Sequence, residues 1–217
     1  LLACYSGAIA GGGRQIGYAH FLGFAGRPVL PGYDGVDVER IRAQAGAALG
    51  ERTVDWAERD FVFVGRFVAK KNLETLLEGF AAYVRKVGPD ARRLQLIGSG
   101  DLEAVLRQRA AELGIAERIV FPGFLDAEEV SARLAGALAL VLVSTEEQWG
   151  LVVNEALAVG LPVVVSTAVG SRDALVRNLV NGFIVEPGSV EGIAQALHEL
   201  SASREVWSRM SHASQAR

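Results

Sequence analysis

Thiols are nearly missing from this 217-residue sequence: Cys4 is the only cysteine. Intrachain disulfides and thiolate metal sites are therefore excluded. The three histidines, His20, His198 and His212, are scattered without metal-ligand spacing, and there is no Asp-x-Asp pair. No apolar run reaches the roughly 18 residues that a membrane helix needs; the longest, residues 134–144, reads as a buried strand entered from a helix. Basic excess is lacking too. The net charge of −3 argues against generic nucleic-acid binding, which calls for a basic face. No nucleophile elbow, no phosphate loop ending in Gly-Lys-Ser/Thr, no fixed-period repeat and no low-complexity segment is found. With one cysteine and no signal peptide, the expected compartment is the cytoplasm. The first residue is Leu, so a piece of a longer chain is expected.

What is present is core material. Half the residues are hydrophobic and 25 are glycine, which suits helices packed tightly on a buried sheet. From residue 60 onwards, short β-branched runs alternate with amphipathic stretches. Residues 60–65 form a near-continuous apolar run ending in glycine, as expected of a strand buried on both faces. Residues 72–87 place Leu73, Leu76, Leu77, Phe80 and Val84 at helical spacing, with Asn72 as the expected N-cap. Further strands are expected at 94–97, 118–121, 138–143, 162–166 and 182–185. Helices are expected at 101–113, 126–135, 150–159, 172–176 and 190–200. Six strands alternating with helices imply an α/β fold with a doubly wound, parallel, six-stranded Rossmann-like sheet. Residues 1–59 read differently: a strand at 1–9, a helix at 15–22, a strand at 28–30, then the turn-rich hinge Pro31-Gly-Tyr-Asp-Gly35. That is too little for a domain of its own.

Ligands bind such sheets at the carboxyl ends of the strands, and four clusters fall there. In Gly65-Arg66-Phe-Val-Ala-Lys70-Lys71, Arg66 and Lys71 place two cations on one strand-to-helix loop, suited to a diphosphate or simply solvated. Gly98-Ser-Gly100-Asp-Leu-Glu103 has the outline of a dinucleotide fingerprint. Glu103, however, stands where the third glycine must let helix and strand approach, so a tight turn in a ligand-facing loop is the better reading. Pro122-Gly-Phe-Leu125-Asp126 turns from a strand into a helix capped by Asp126, leaving main-chain groups near Leu125 to meet a base edge. Finally, Glu146 and Glu147 lie in a polar loop before a helix starting at about Gly150, whose first amides favour an anion. Glu155 lies within that helix among Val, Leu and Ala, an unfavourable place for a carboxylate without a partner; a diol such as a ribose would supply one. Glu146 reads as solvated charge. Trp56, Trp149 and Trp207 read as packing residues, with Trp149 bordering the site.

The pattern Glu147-x7-Glu155, followed by Ala156 and Gly160-Leu-Pro162-Val-Val, resembles the signature of retaining GT-B glycosyltransferases of family GT4. Gly65, Arg66 and Lys71 are similar to that family's Gly-Arg-x4-Lys element. Leu96-Ile-Gly-Ser-Gly100, Val120-Phe-Pro-Gly123 and Asn181-Gly-Phe-Ile-Val-Glu-Pro187 follow in the family's order, so the resemblance spans residues 28 to 200. It implies two Rossmann-like domains facing a cleft, the C-terminal one holding a nucleoside-diphosphate sugar and no metal. By motif, Arg66 and Lys71 would hold the diphosphate, with main-chain amides at Gly150, Leu151 and Val152. Glu155 would bind the ribose, Glu147 the transferred sugar and Leu125 the base, with Gly65 and Gly98 also on the donor side. Arg66, Lys71 and Glu147 are thereby the expected catalytic set.

The resemblance also divides the chain. Residues 1–27 would be the remnant of an N-terminal acceptor domain, 28–59 an interdomain linker and 60–200 the donor domain. Residues 201–217 would be a closing helix directed towards the missing domain. The acceptor, a glycan, lipid or small molecule, would bind through that missing part. The fragment alone is expected to transfer nothing, and the full-length protein to be cytoplasmic, with a peripheral membrane position open to it. One departure stands out: Gly170-Ser171-Arg172-Asp173 replaces the family's common Gly-Gly-x-x-Glu. Two other readings remain: a sugar-nucleotide epimerase of the same architecture, and a non-catalytic nucleotide-sugar-binding module. A nicotinamide dehydrogenase is disfavoured by Glu103.

Overall fold

The computed structural model describes residues 2–50 and 54–215. Expectations for Leu1, for residues 51–53 of the linker and for the last residues of the closing helix lie outside this range. The main sheet contains β3 (Phe61–Val64), β4 (Leu94–Ile97), β5 (Ile119–Gly123), β6 (Ala139–Leu142), β7 (Val163–Ser166) and β8 (Gly182–Val185). All pairs are parallel, in the order β5-β4-β3-β6-β7-β8. The doubly wound sheet expected from the alternation is thus present. Every residue of β6 and β7 is buried, which parallel strands covered on both faces require.

Two sets of helices provide the cover. α3 (Leu73–Val87) packs against α8 (Val190–Ala202) and α4 (Glu103–Glu112). α5 (Ala127–Gly136), α6 (Leu151–Ala158) and α2 (Val38–Leu49) form the second set. α9 (Arg204–Gln215) bridges α6 and α8, and the Trp207 indole donates to the Leu138 carbonyl at 2.7 Å. The closing helix therefore docks on the six-stranded unit itself. α7 (Arg172–Leu175) is a single turn. Asp126 caps α5 as read from sequence: its carboxylate accepts from the Glu128 and Glu129 amides, while the Glu129 side chain accepts from the Asp126 amide, forming a capping box.

The N-terminal segment departs from expectation. Instead of a strand over 1–9, a 3₁₀ turn at Leu2–Cys4 precedes a short β1 (Ala8–Ala10). β1 pairs in parallel with β2 (Val29–Pro31). Pro28, which lacks an N–H, precedes β2 and ends the ladder on that side. Between the two strands runs α1 (Gly13–Ala19), continued by a π turn at His20–Phe24. The expected linker also holds an element the sequence reading missed. α2 is capped by Asp37, which accepts from the Arg40 amide at 3.0 Å.

Removing the α5 cap isolates one contribution. Asp126→Ala is expected to lower stability by about 1 kcal/mol, measured as a lower urea midpoint with unchanged slope.

Candidate functional site

β3 and β6 are neighbours in the sheet but not in the chain, so their crossovers diverge and leave a crevice at their carboxyl ends. From β3 the chain passes Gly65 and Arg66 into a 3₁₀ turn, Ala69–Lys71. Asn72 follows, but not as the expected side-chain cap. It adopts a left-handed conformation (φ 58°) and makes no capping bond. Its Nδ2 donates instead to the carbonyls of Val143 (3.1 Å) and Pro187 (2.7 Å), while Thr75 donates to its Oδ1. The Thr145 amide donates to the Lys70 carbonyl at 2.9 Å. The loops after β3, β6 and β8 are thereby tied together.

That tie brings Lys71 to Glu147. The ammonium donates to Glu147 Oε2, and the two side chains are only 15% and 14% exposed. Ser144 Oγ donates to the same carboxylate at 3.3 Å. The Glu147 carbonyl accepts from the Gly170 amide, fixing the loop against the segment after β7. Sequence reading gave Lys71 and Glu147 separate tasks; the structure pairs them, and they neutralise each other. Arg66, by contrast, is exposed and has no ion-pair partner among the described residues.

α6 opens on Gly150, which is left-handed (φ 91°) and supplies no side-chain cap. The amides of Leu151 and Val152 are therefore among the donors that a helix start leaves unpaired. One turn further on, Glu155 is half-buried, and burial raises its carboxyl above the ordinary value while Arg40 opposes the shift. It lines a cavity of about 170 Å³ with Arg40, Gln44, Leu125 and Ser131. A second cavity of about 170 Å³ is bounded by Gly65, Arg66, Gly98, Phe124 and Leu125. Gly98 has a packing duty there. At φ +129°, a Cβ on it would stand 2.0 Å from the Gly65 carbonyl oxygen, so only glycine lets the two loops approach. A groove of about 1090 Å³ holds Lys71, Glu147, Gly150, Leu151 and Val152 at one end. Val64, at the end of β3, borders all three spaces. Each residue expected to contact the donor thus lines a space that Val64 borders.

Two participants were not read from sequence. Arg14 Nε donates to Asp173 at 2.8 Å and its Nη2 to the Thr167 carbonyl at 3.0 Å. Gln15 Nε2 donates to the Gln148 carbonyl at 2.7 Å. Both stand at the start of α1, where the only sequence signal is two polar residues after three glycines. Trp149 does pack, as expected: a Cβ on Gly11 would meet its ring at 2.9 Å. Asp173, in the variant loop, is held by Arg14 and Arg172. His198 and His212 take no part in the crevice, and among the described residues no cluster of three metal-ligating side chains occurs.

The raised Glu155 carboxyl makes a prediction about pH. Between its unfolded and folded pKa the folded chain holds the extra proton, so stability falls as pH rises through that window. Glu155→Gln is expected to raise the urea midpoint at about pH 7 and leave it nearly unchanged at about pH 4, below both values.

The family described as Glycosyl transferases group 1 matches residues 51–217. An uncharacterized glycosyltransferase of Methanocaldococcus jannaschii is 32% identical over 137 residues, 63% of this chain and 34% of its own length. A lipopolysaccharide core biosynthesis glycosyltransferase of Rhizobium meliloti is 33% identical over 147 residues, 68% of this chain and 41% of its own. The chain thus spans roughly two fifths or less of these relatives. Among solved structures, the C-terminal domain of a glycosyl transferase group 1 family protein from Francisella tularensis superposes with a TM-score of 0.69. That match is 22% identical and covers 84% of this chain and 95% of that one. It shows the same fold, the C-terminal half of a GT-B architecture.

Proposed function

We propose a function for a chain that belongs to the glycosyl transferases group 1 family: it binds a nucleoside-diphosphate sugar and forms the donor half of a retaining glycosyltransferase. The observation that carries this reading is the convergence at the end of β3 of Arg66, the Lys71–Glu147 pair, the first amides of α6 and Glu155, which forms no ion pair among the described residues. The diphosphate lies between Arg66 and the α6 amides, the ribose on Glu155 and the transferred sugar beside Glu147. As the bond to the anomeric carbon breaks, negative charge grows on the departing diphosphate. Arg66, Lys71 and the helix start are positioned to stabilise it without reorganising. The acceptor hydroxyl enters on the face the diphosphate leaves, which preserves the anomeric configuration.

In this reading residues 1–27 belong to an acceptor domain, 28–59 join it to the donor unit of 60–200, and 201–217 close the structure. The exposed apolar side chains of Ile9 on β1 and Leu30 on β2 support it, because a parallel pair open on one face is the expected remnant of a larger sheet. The chain alone therefore binds donor but transfers no sugar, since acceptor positioning supplies much of the rate.

Calorimetric titration with UDP and GDP tests the site. Arg66→Ala is expected to weaken diphosphate binding about tenfold, the loss of one charge-assisted hydrogen bond, while leaving binding of the free nucleoside unchanged. If neither Arg66→Ala nor Lys71→Ala weakens binding of either diphosphate, the assignment fails.

A further inference from the structure

The loop of residues 144–149 meets α6 at Gly150, and Gly150 is a pivot. It is left-handed (φ 91°) and has no side chain to hold it. A Cβ there would stand 3.0 Å from Leu142 Cδ2 and 3.3 Å from Glu147 Cγ, so the Glu147 side chain rests against the pivot itself. Away from α6 the loop is secured three times. The carbonyls of Glu147, Gln148 and Trp149 accept from the Gly170 amide (3.0 Å), Gln15 Nε2 (2.7 Å) and the Ser171 amide (3.0 Å). Across the pivot there is one fastening. The Trp149 indole, only 7% exposed, donates to Asn154 Oδ1 at 3.0 Å, and among the described residues no other side-chain hydrogen bond joins this loop to α6. The Asn154 amide is oriented from both ends. An indole N–H only donates and a main-chain carbonyl only accepts, so Oδ1 faces Trp149 while Nδ2 faces the Asp34 carbonyl, 3.2 Å away. Gly11, just after β1, closes the group: a Cβ on it would meet both Asp34 Oδ2 (2.2 Å) and the Trp149 ring (2.9 Å).

In the donor-site reading above, on which this inference rests, Glu147 meets the sugar from the loop side of Gly150, and the Leu151 and Val152 amides meet the diphosphate from the helix side. A nucleoside diphosphate without its sugar makes no use of the first group. A sugar nucleotide spans both, so it alone depends on how loop and helix are set relative to each other. We propose that Asn154 is a positioning residue, which through Trp149 staples the Glu147 loop to α6 across the glycine pivot. Asn154 adjoins Glu155 in the chain, yet it acts on the sugar end of the ligand and not on the ribose.

Equilibrium titration of the 217-residue chain with UDP and UDP-glucose, and with GDP and GDP-mannose, tests it. Asn154→Leu, similar in size and without hydrogen-bonding groups, is expected to lower affinity for the sugar nucleotide relative to its parent diphosphate about fivefold, the worth of one hydrogen bond. Affinity for the diphosphate itself is expected to stay within about twofold. Trp149→Phe, which keeps a ring but removes the N–H, is expected to act in the same way. The double variant should lose no more than either single one, since both remove one bond. Urea midpoints show that the variants fold; if Asn154→Leu does not, Trp149→Phe reports on the same bond from its other end. An unchanged ratio, losses that add in the double variant, or an equal loss for diphosphate and sugar nucleotide overturns the role of Asn154 and leaves the donor site standing. Binding of none of the four overturns the donor-site reading and this inference with it.

Discussion

The crevice depends on one side chain held in an uncommon backbone conformation. Asn72 is left-handed, a state that costs most residues 1–2 kcal/mol but that asparagine tolerates. From there its amide reaches the carbonyl ends of two other loops, at Val143 and Pro187. Three strand ends, the outermost more than a hundred residues apart in the chain, are thereby drawn to one point. Lys71, the preceding residue, is delivered to Glu147 as a result. Neither partner of that pair has the freedom of a surface charge: both are largely buried, and Ser144 and the Gly170 amide secure the acid's loop.

Electrostatically the site is divided in two. Its centre is self-neutralised by the Lys71–Glu147 pair. Its periphery carries charges without ion-pair partners among the described residues, Arg66 on one side and Glu155, with Arg40 nearby, on the other. A half-buried carboxylate without a partner is a local loss of stability, and its position facing a cavity makes it a place where ligand contacts replace lost hydration. The N-terminal segment contributes to the same loops. Arg14, Gln15 and the close approach of Gly11 to Trp149 clasp the segments after β6 and β7, so displacement of α1 would be felt at Glu147.

How much of this was legible in the sequence follows from where each signal lies. The sheet was legible because continuous apolar runs such as Phe61–Val64 and Val163–Ser166 are local and unambiguous. That the candidate site residues would gather at one crevice was legible because they belong to loops and helix starts that follow strand ends. Asn72 was placed correctly and misassigned in role, since an N-cap and a left-handed tie use the same residue type at the same position. The Lys71–Glu147 pair was not legible at all, being a tertiary contact across 76 positions. α2 escaped notice because its buried contribution is only Ile41 and Ala45 in an Ala-rich stretch. The expected strand over 1–9 failed because a strand extends only as far as its partner allows, and β2 begins at Val29.

The Lys71–Glu147 pair has a further consequence for selectivity among anions. A lone lysine in a crevice captures whatever phosphate or sulfate the solvent supplies. Here the ammonium is shared with Glu147, and an anion that took it outright would strand a shielded carboxylate. Pyrophosphate brings charge for the lysine and no sugar for the acid. A sugar nucleotide brings both at once, its phosphate oxygens to one partner and its hydroxyls to the other. On the proposed reading, the pair therefore favours a ligand that carries both chemistries in one molecule over a bare anion.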